Sequence, residues 1–244
     1  MDLSCRLVQG FTMPPGENLS ALMPFVGEIV FAFDSSANDA DAQLSGELTQ
    51  TVKLWYRALL RKRIQTMRLM LPVNQRVEAP FLNGFRQGIY TSFADRATLW
   101  QANWRYDSVA KNWRVHYQQM NWSPPTMDCY EYYDNADAFY TLLTQLNKLA
   151  LAIGGHDNFA HIFQRARQML EYPASGNTHR RRMIAVAKSA WVLGGMGSWN
   201  DIAPWAAQQI GRVSEYETLT SDLFKHIQIA LMYGANAPSS RPPA

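Results

Sequence analysis

Two runs of aromatic residues, each alternating with polar ones, set the first constraint on the fold. Trp100, Ala102, Trp104 and Tyr106 form one run, and Trp113, Val115 and Tyr117 form the other. A period of two places every second side chain on one side of an extended strand, a pattern that a helix cannot keep on one face. Between the runs lies DSVAKN, residues 107–112, a hairpin connection. Each strand then carries its large rings on one face, where cross-strand pairs meet. That face is expected to be buried in a core. An exposed aromatic platform for nucleic acid is the alternative, and the modest charge of the chain argues against it.

Most of the remaining chain reads as helix. From about Asp39 to Met70, Leu44, Leu48, Val52, Trp55 and Leu59 recur at spacings of three and four, while Lys53, Arg57, Arg61 and Arg68 fall on the opposite side. The basic stripe is the solvated face of an amphipathic helix, or else a docking face for an acidic partner. Residues 1–12 read as a first strand stopped by MPPG. The run LMPFVGEIVFAF is apolar but too short for periodicity to decide between strand and helix, and DSSANDAD, residues 34–41, is a turn-rich connector.

The prolines of WSPPTMDCYEYYDNAD, residues 122–137, cannot continue a strand, and Asp134 or Asn135 can cap a following helix. Helices are expected over about 136–152, 157–171, 178–193, 201–210 and 214–233. Gly154-Gly155, residues 173–177, a glycine-rich turn and Gly211 punctuate them. The expected class is α+β and mostly helical. Residues 1–135 hold a small antiparallel sheet and one long amphipathic helix, residues 136–244 form a helical bundle, and both halves share one core.

Composition narrows the function classes. Hydrophobic residues make up 47% and charged residues 18% of the 244, which excludes a disordered chain. A net charge of +3 is far from the dense basic field of a dedicated nucleic-acid binder, so no direct nucleic-acid partner is expected. Cys5 and Cys129 provide neither a disulfide framework nor zinc-ligand spacing and suit a reducing compartment. With no signal-peptide run and no stretch of membrane-span length, the protein is expected to be cytoplasmic, with no membrane association.

The stretch GGMGSWND, residues 194–201, lacks the lysine of a phosphate-binding loop. Its serine also sits outside the GxSxG context of a nucleophile elbow. Gly194 and Gly195 can take the left-handed backbone that closes a helix, and Gly197 permits a tight reversal. Asn200 or Asp201 can then cap the next helix while Trp199 packs beneath the turn. With a helix before it and YETLTSDLFKHIQIAL after it, the stretch resembles a signature of small, mostly helical bacterial domains that occur as immunity proteins beside secreted polymorphic toxins. The resemblance covers residues 138–234. It implies cytoplasmic antitoxin work and supplies no catalytic residues.

Other candidates carry less chemistry. His156 and His161 are five apart, off the spacing that places two metal ligands on one helical face, so no metal or cofactor is expected. A hydrolase using His156, Asp157 and His161 is the enzymatic alternative, and His116, His179 and His226 stand apart. THRRRM, residues 178–183, puts three arginines at a helix start, where the macrodipole disfavours cations, so nearby carboxylates or an acidic partner should compensate. DCYEYYDNAD, residues 128–137, combines Asp128, Glu131, Asp134 and Asp137 with Tyr130, Tyr132 and Tyr133, and is either an interface with a basic protein surface or an ordinary polar connector. The leading expectation is a non-enzymatic immunity protein. It would occlude a cognate toxin, for instance a nuclease, through Asp128, Glu131, Tyr132 and Asp134, and an effector-loading adaptor is the alternative binding role.

Overall fold

The computed structural model describes residues 2–12, 18–34, 43–73, 87–122, 131–154, 157–172, 178–194 and 196–236. The chain divides by internal packing into two units. One comprises Met1–Met70, Arg86–Thr126 and Asn236–Ala244, and the other comprises Leu71–Phe85 and Met127–Ala235.

The first unit contains α1 (Asp2–Thr12), the short α2 (Leu19–Leu22), β1 (Val26–Ala32), β2 (Gln43–Gly46), α3 (Leu48–Arg61), β3 (Thr66–Met70), β4 (Gly88–Ser92), β5 (Ala97–Asp107) and β6 (Asn112–Asn121). The strands form one six-stranded sheet in the order β2-β1-β6-β5-β4-β3. The class is therefore α+β, with a sheet that is larger than a small antiparallel one and mixed in direction. β1 runs parallel to β6, whereas the other pairs are antiparallel. The parallel pair arises because β6, the last strand in sequence, enters the sheet beside β1.

Two segments depart from the sequence-based expectation. Residues 2–12 form a helix instead of a strand: Leu3, Ser4, Leu7 and Val8 recur at helical spacing and are all buried. The helix expected over Asp39–Met70 spans only Leu48–Arg61. Glu47 caps it by accepting from the backbone N–H groups of Thr49 (3.0 Å) and Gln50 (2.8 Å). A hydrogen bond from Ser20, followed by these backbone N–H groups, holds the Glu47 carboxyl below its usual pKa. Arg63 ends the helical path with φ at 57°, and the following TMRLM pairs with β4. The expected basic stripe is divided accordingly: Lys53, Arg57 and Arg61 are exposed on α3, while Arg68 lies on β3.

α1 packs against β3 and β4, and α3 packs against β1 and β2. Between helices and strands lies a ring stack. Trp55 lies flat on Phe31 with centroids 4.3 Å apart, Phe31 stacks on Tyr117 at 5.3 Å, and Trp100 meets Trp55 edge-on at 5.3 Å. Polar atoms in this layer are tied locally. Trp100 Nε1 donates to Thr91 Oγ1 (3.2 Å), Gln119 Nε2 donates to Thr98 Oγ1 (3.0 Å), and the two threonine hydroxyls bond each other at 2.7 Å. The Tyr117 hydroxyl bonds Ser4 Oγ at 2.8 Å, and burial raises its pKa.

The second unit contains α4 (Ala136–Ile153), α5 (Asp157–Glu171), α6 (His179–Ser189), α7 (Trp199–Gln209) and α8 (Val213–Ala235). α8 packs against α4, α6 and α7, and α5 packs against α4 and α6. The approach of α8 to α6 depends on Gly234, where a Cβ would lie 2.7 Å from the Arg180 carbonyl oxygen and 2.4 Å from Ile184 Cγ1. Among the described residues, no helix is long and apolar enough to cross a membrane.

Candidate functional site

The connector before α4 and the first turn of α6 bring charged groups together. Asp134 Oδ1 accepts from the Ala136 N–H at 3.2 Å, serving the start of α4 although Asn135 occupies the N-cap position. Asp134 Oδ2 accepts from His179 Nε2 at 2.7 Å and from the Tyr233 hydroxyl at 3.4 Å. The other ring nitrogen of His179, Nδ1, faces Arg182 Nη2. A guanidinium can only donate, so Nδ1 accepts and Nε2 carries the proton given to Asp134.

The arginines of THRRRM are thus absorbed in different ways. Thr178 caps α6 by accepting from the Arg181 N–H. Arg180 donates to the Tyr233 carbonyl in the last turn of α8 (2.8 Å) and lies over the Tyr233 ring at 4.6 Å. A cation at the C-terminal end of α8 interacts favourably with that helix's dipole. Arg182 turns toward the imidazole, and its Nε is buried with no hydrogen-bond partner among the described residues.

These groups open onto a cleft of about 410 Å³ lined by Asp134, Ala136, Asp137, Tyr140, Leu170, Glu171, His179 and Arg182. Glu171 accepts from the Tyr140 hydroxyl at 2.6 Å and lies 3.9 Å from Arg167 Nε. Donation to Glu171 raises the Tyr140 pKa. Three carboxylates line the cleft against one guanidinium, so its field favours a cation. None of the lining residues is a serine, threonine, cysteine or lysine, and both nitrogens of the lining imidazole are engaged.

Of the residues expected to meet a partner, Asp128 lies outside the described residues. Glu131 is exposed, Tyr132 is half-buried, and Asp134 is committed to internal hydrogen bonds. Asp137, one turn into α4, is an exposed carboxylate on the cleft. His156 and the Asp157 side chain lie outside the described residues, and His161 is exposed on α5. Among the described residues, no group of three or more His, Cys, Asp or Glu could hold a metal ion. His179, Arg182, Tyr140 and Glu171 were not legible as one site. They come from the ends of different helices, and no spacing along the chain encodes which helix ends meet.

The glycine-rich stretch builds a corner between α6 and α7. Asn200 Oδ1 accepts from the Gly194 N–H (2.8 Å), while its Nδ2 donates to the Gly194 carbonyl (3.0 Å). Gly197 has φ at 79°, and its N–H donates to Asp201 Oδ2 at 2.7 Å. Trp199 is fully buried, with its backbone N–H on the Val192 carbonyl (2.9 Å) and its indole N–H on Thr220 Oγ1 (2.9 Å). Gly195 lies outside the described residues. Ser198 Oγ donates to Asn200 Oδ1 at 3.0 Å, a further bond within the turn.

No family model matches this chain, and neither a curated protein nor a solved structure matches it.

Proposed function

We propose that this chain is an immunity-type protein that binds a secreted bacterial toxin in the cytoplasm and neutralises it by occlusion. The observation that carries this reading is the acidic cleft at the start of α4, flanked by exposed Glu131 and Tyr133. A toxin acting on nucleic acid presents a basic groove, and a Lys or Arg side chain from that groove suits a cleft of three carboxylates and a tyrosine ring. The tyrosines supply rigid contact area around the charges. The resemblance of GGMGSWND to the immunity-associated turn supports the same reading.

Within this reading the residues of the acidic segment have separate roles. Asp134 organises the cleft by holding His179, Tyr233 and the α4 N-terminus. Glu131 and Asp137 are the carboxylates left to meet a partner. Both side chains are exposed, so the double variant Glu131→Lys/Asp137→Lys should fold, losing about 1 kcal/mol because it sets a cation in the first turn of α4. Its affinity for the toxin encoded in the adjoining reading frame should fall by about 2–5 kcal/mol if the contact is desolvated. Titration calorimetry at two salt concentrations measures the loss, and a growth assay under toxin expression measures protection. Undiminished affinity of the variant overturns this choice of surface. A complex that leaves the toxin fully active overturns occlusion and identifies an adaptor.

A further inference from the structure

His179 joins two oppositely charged groups through its two ring nitrogens. Nε2 donates to Asp134 Oδ2 at 2.7 Å, and Nδ1 accepts from Arg182 Nη2. The second bond exists only while Nδ1 keeps its lone pair, because a guanidinium donates and never accepts. Among the described residues it is also the one hydrogen bond of the Arg182 side chain, whose buried Nε has no partner there. The imidazole side chain is 34% exposed, so a solvent proton reaches it.

The charged and titratable groups around this imidazole come from each element beside it. Asp134, on the connector before α4, faces Nε2. Tyr233 of α8 lies edge-on with ring centroids 5.9 Å apart, and its hydroxyl meets the same Asp134 oxygen at 3.4 Å. Arg180, Arg181 and Arg182 are the cations of the first turn of α6, and Arg180 lies over the Tyr233 ring. Across the cleft stand Asp137 and Tyr140 of α4 and Glu171 of α5. Glu171 Oε1 takes the Tyr140 hydroxyl and lies 3.9 Å from Arg167. The exposed Asp137 carboxylate carries no hydrogen bond or ion pair among the described residues. His226 of α8 is a second imidazole tied to the connector, through Asn135.

Taking the cleft as a cation site, as in the function proposed above, we propose that proton uptake at His179 Nδ1 closes it to a partner by releasing Arg182 into it. The protonated nitrogen sets an N–H donor against a guanidinium donor, with two like charges at hydrogen-bonding distance. The ring stays with Asp134, because the Nε2–H bond to a carboxylate strengthens when the ring is cationic. Arg182 is then the group that moves. Asp137 and the second oxygen of Glu171 line the same cleft and are free to accept from it. A tethered guanidinium there takes the place of a partner's Lys or Arg. The added proton also lowers the excess of carboxylates over cations lining the cleft from two to one. Histidine changes charge between about pH 5 and 8, so a cationic partner binds above that window and is shed as pH falls through it.

Nitrogen NMR of the full chain labelled at histidine and arginine tests the release without any partner. At about pH 8 His179 should show a bare Nδ1 and a protonated Nε2, and on acidification to about pH 5.5 the Arg182 side-chain signals should shift with the His179 midpoint. A capped tri-arginine peptide, titrated by calorimetry at low salt, supplies the cation. Its affinity should fall about tenfold or more between the same two pH values. His179→Gln presents an amide that donates to Asp134 and accepts from Arg182 without titrating. Whatever its affinity at the higher pH, its fall with acid should shrink to the part owed to His226 and the carboxylates. A proton on Nδ1 at the higher pH, Arg182 signals that ignore the His179 titration, or a His179→Gln protein as acid-sensitive as the parent each overturn the proposal. A peptide that binds equally at both pH values overturns the release alone. One that binds at neither overturns the cation reading of the cleft, and the proposal with it.

Discussion

Trp55 and Trp199 are both fully buried, and they are held in opposite ways. Trp55 lies flat against Phe31 in the sheet layer, and its indole N–H has no hydrogen-bond partner among the described residues. Trp199, at the corner between α6 and α7, gives its indole N–H to Thr220 and its backbone N–H to Val192, with Phe159 and Phe163 edge-on to its ring. At Trp55 stability rests on apolar area and ring contact, which tolerate a change of ring better than a hydrogen bond does. At the corner it rests on directional bonds, and losing one partner strands the other. The acidic cleft resembles the corner, with Asp134, His179 and Arg182 bonded in series and open to solvent on one side.

Truncation should produce the largest effect. Trp55→Ala removes a ring from the centre of the stack and should cost about 3–5 kcal/mol, measured by urea unfolding. A finer substitution separates the two regions. Trp55→Phe leaves a smaller void and also removes the unpaired N–H, whereas Trp199→Phe leaves a void and takes the indole donor away from the buried Thr220 hydroxyl. Trp199→Phe should be the costlier of the two by about 1–2 kcal/mol. Thr220→Val isolates the hydrogen bond and should cost about 1–3 kcal/mol by stranding the indole N–H. If the two Trp→Phe variants are equally stable, hydrogen bonding is not what distinguishes the regions.

Backbone geometry at the corner gives the next smaller effect. Gly197 holds φ at 79°, where an L side chain is strained even though the space around its Cβ position is open. Gly197→Ala should lower stability by about 1 kcal/mol. Gly194, whose backbone groups are both bonded by Asn200, should tolerate alanine better, since its Cβ would meet nothing closer than Ser198 Cβ at 3.9 Å. A thermal melt of each variant ranks them, and the reverse order would mean that the turn is not governed by the left-handed residue.

The same contrast explains how much could be read from the chain. The β5–β6 hairpin was legible because Trp100 to Tyr117 keep a strict period of two around a turn. The helices from α4 onward were legible because glycines and a proline-containing segment punctuate them. β3 was not, because TMRLM continues the helical spacing of α3 and becomes a strand only by pairing with β4. α1 was misread because an eleven-residue run is short enough for a few apolar positions to fit either period. The acidic segment was legible as polar and aromatic, but Asp134 meets His179 across 45 residues through helix ends that only tertiary packing brings together.

The smallest expected effect concerns pH and the other imidazole tied to the α4 connector. His226 Nδ1 faces Asn135 Nδ2 at 3.0 Å, and the same amide nitrogen donates to the His226 carbonyl at 3.0 Å. An amide N–H₂ group can only donate, so Nδ1 must accept, and protonating it would replace an acceptor with a second donor. Burial is the largest cause lowering the His226 pKa. Asp222 opposes this shift, and Lys225 adds to it. Because the folded pKa lies below the unfolded value, the unfolded chain binds the proton more readily. Stability is then complete above the unfolded pKa of about 6.5 and declines as pH falls through it toward the folded pKa. The urea midpoint should be flat from pH 8 to 7 and fall between 7 and 5, by more in the parent than in His226→Phe. The phenylalanine variant will be less stable throughout, because one N–H of the Asn135 amide loses its acceptor while the other keeps the residue-226 carbonyl, so the difference in slope is the quantity to compare. Equal slopes would remove His226 as the source and leave the carboxylates of the cleft to account for the acid sensitivity.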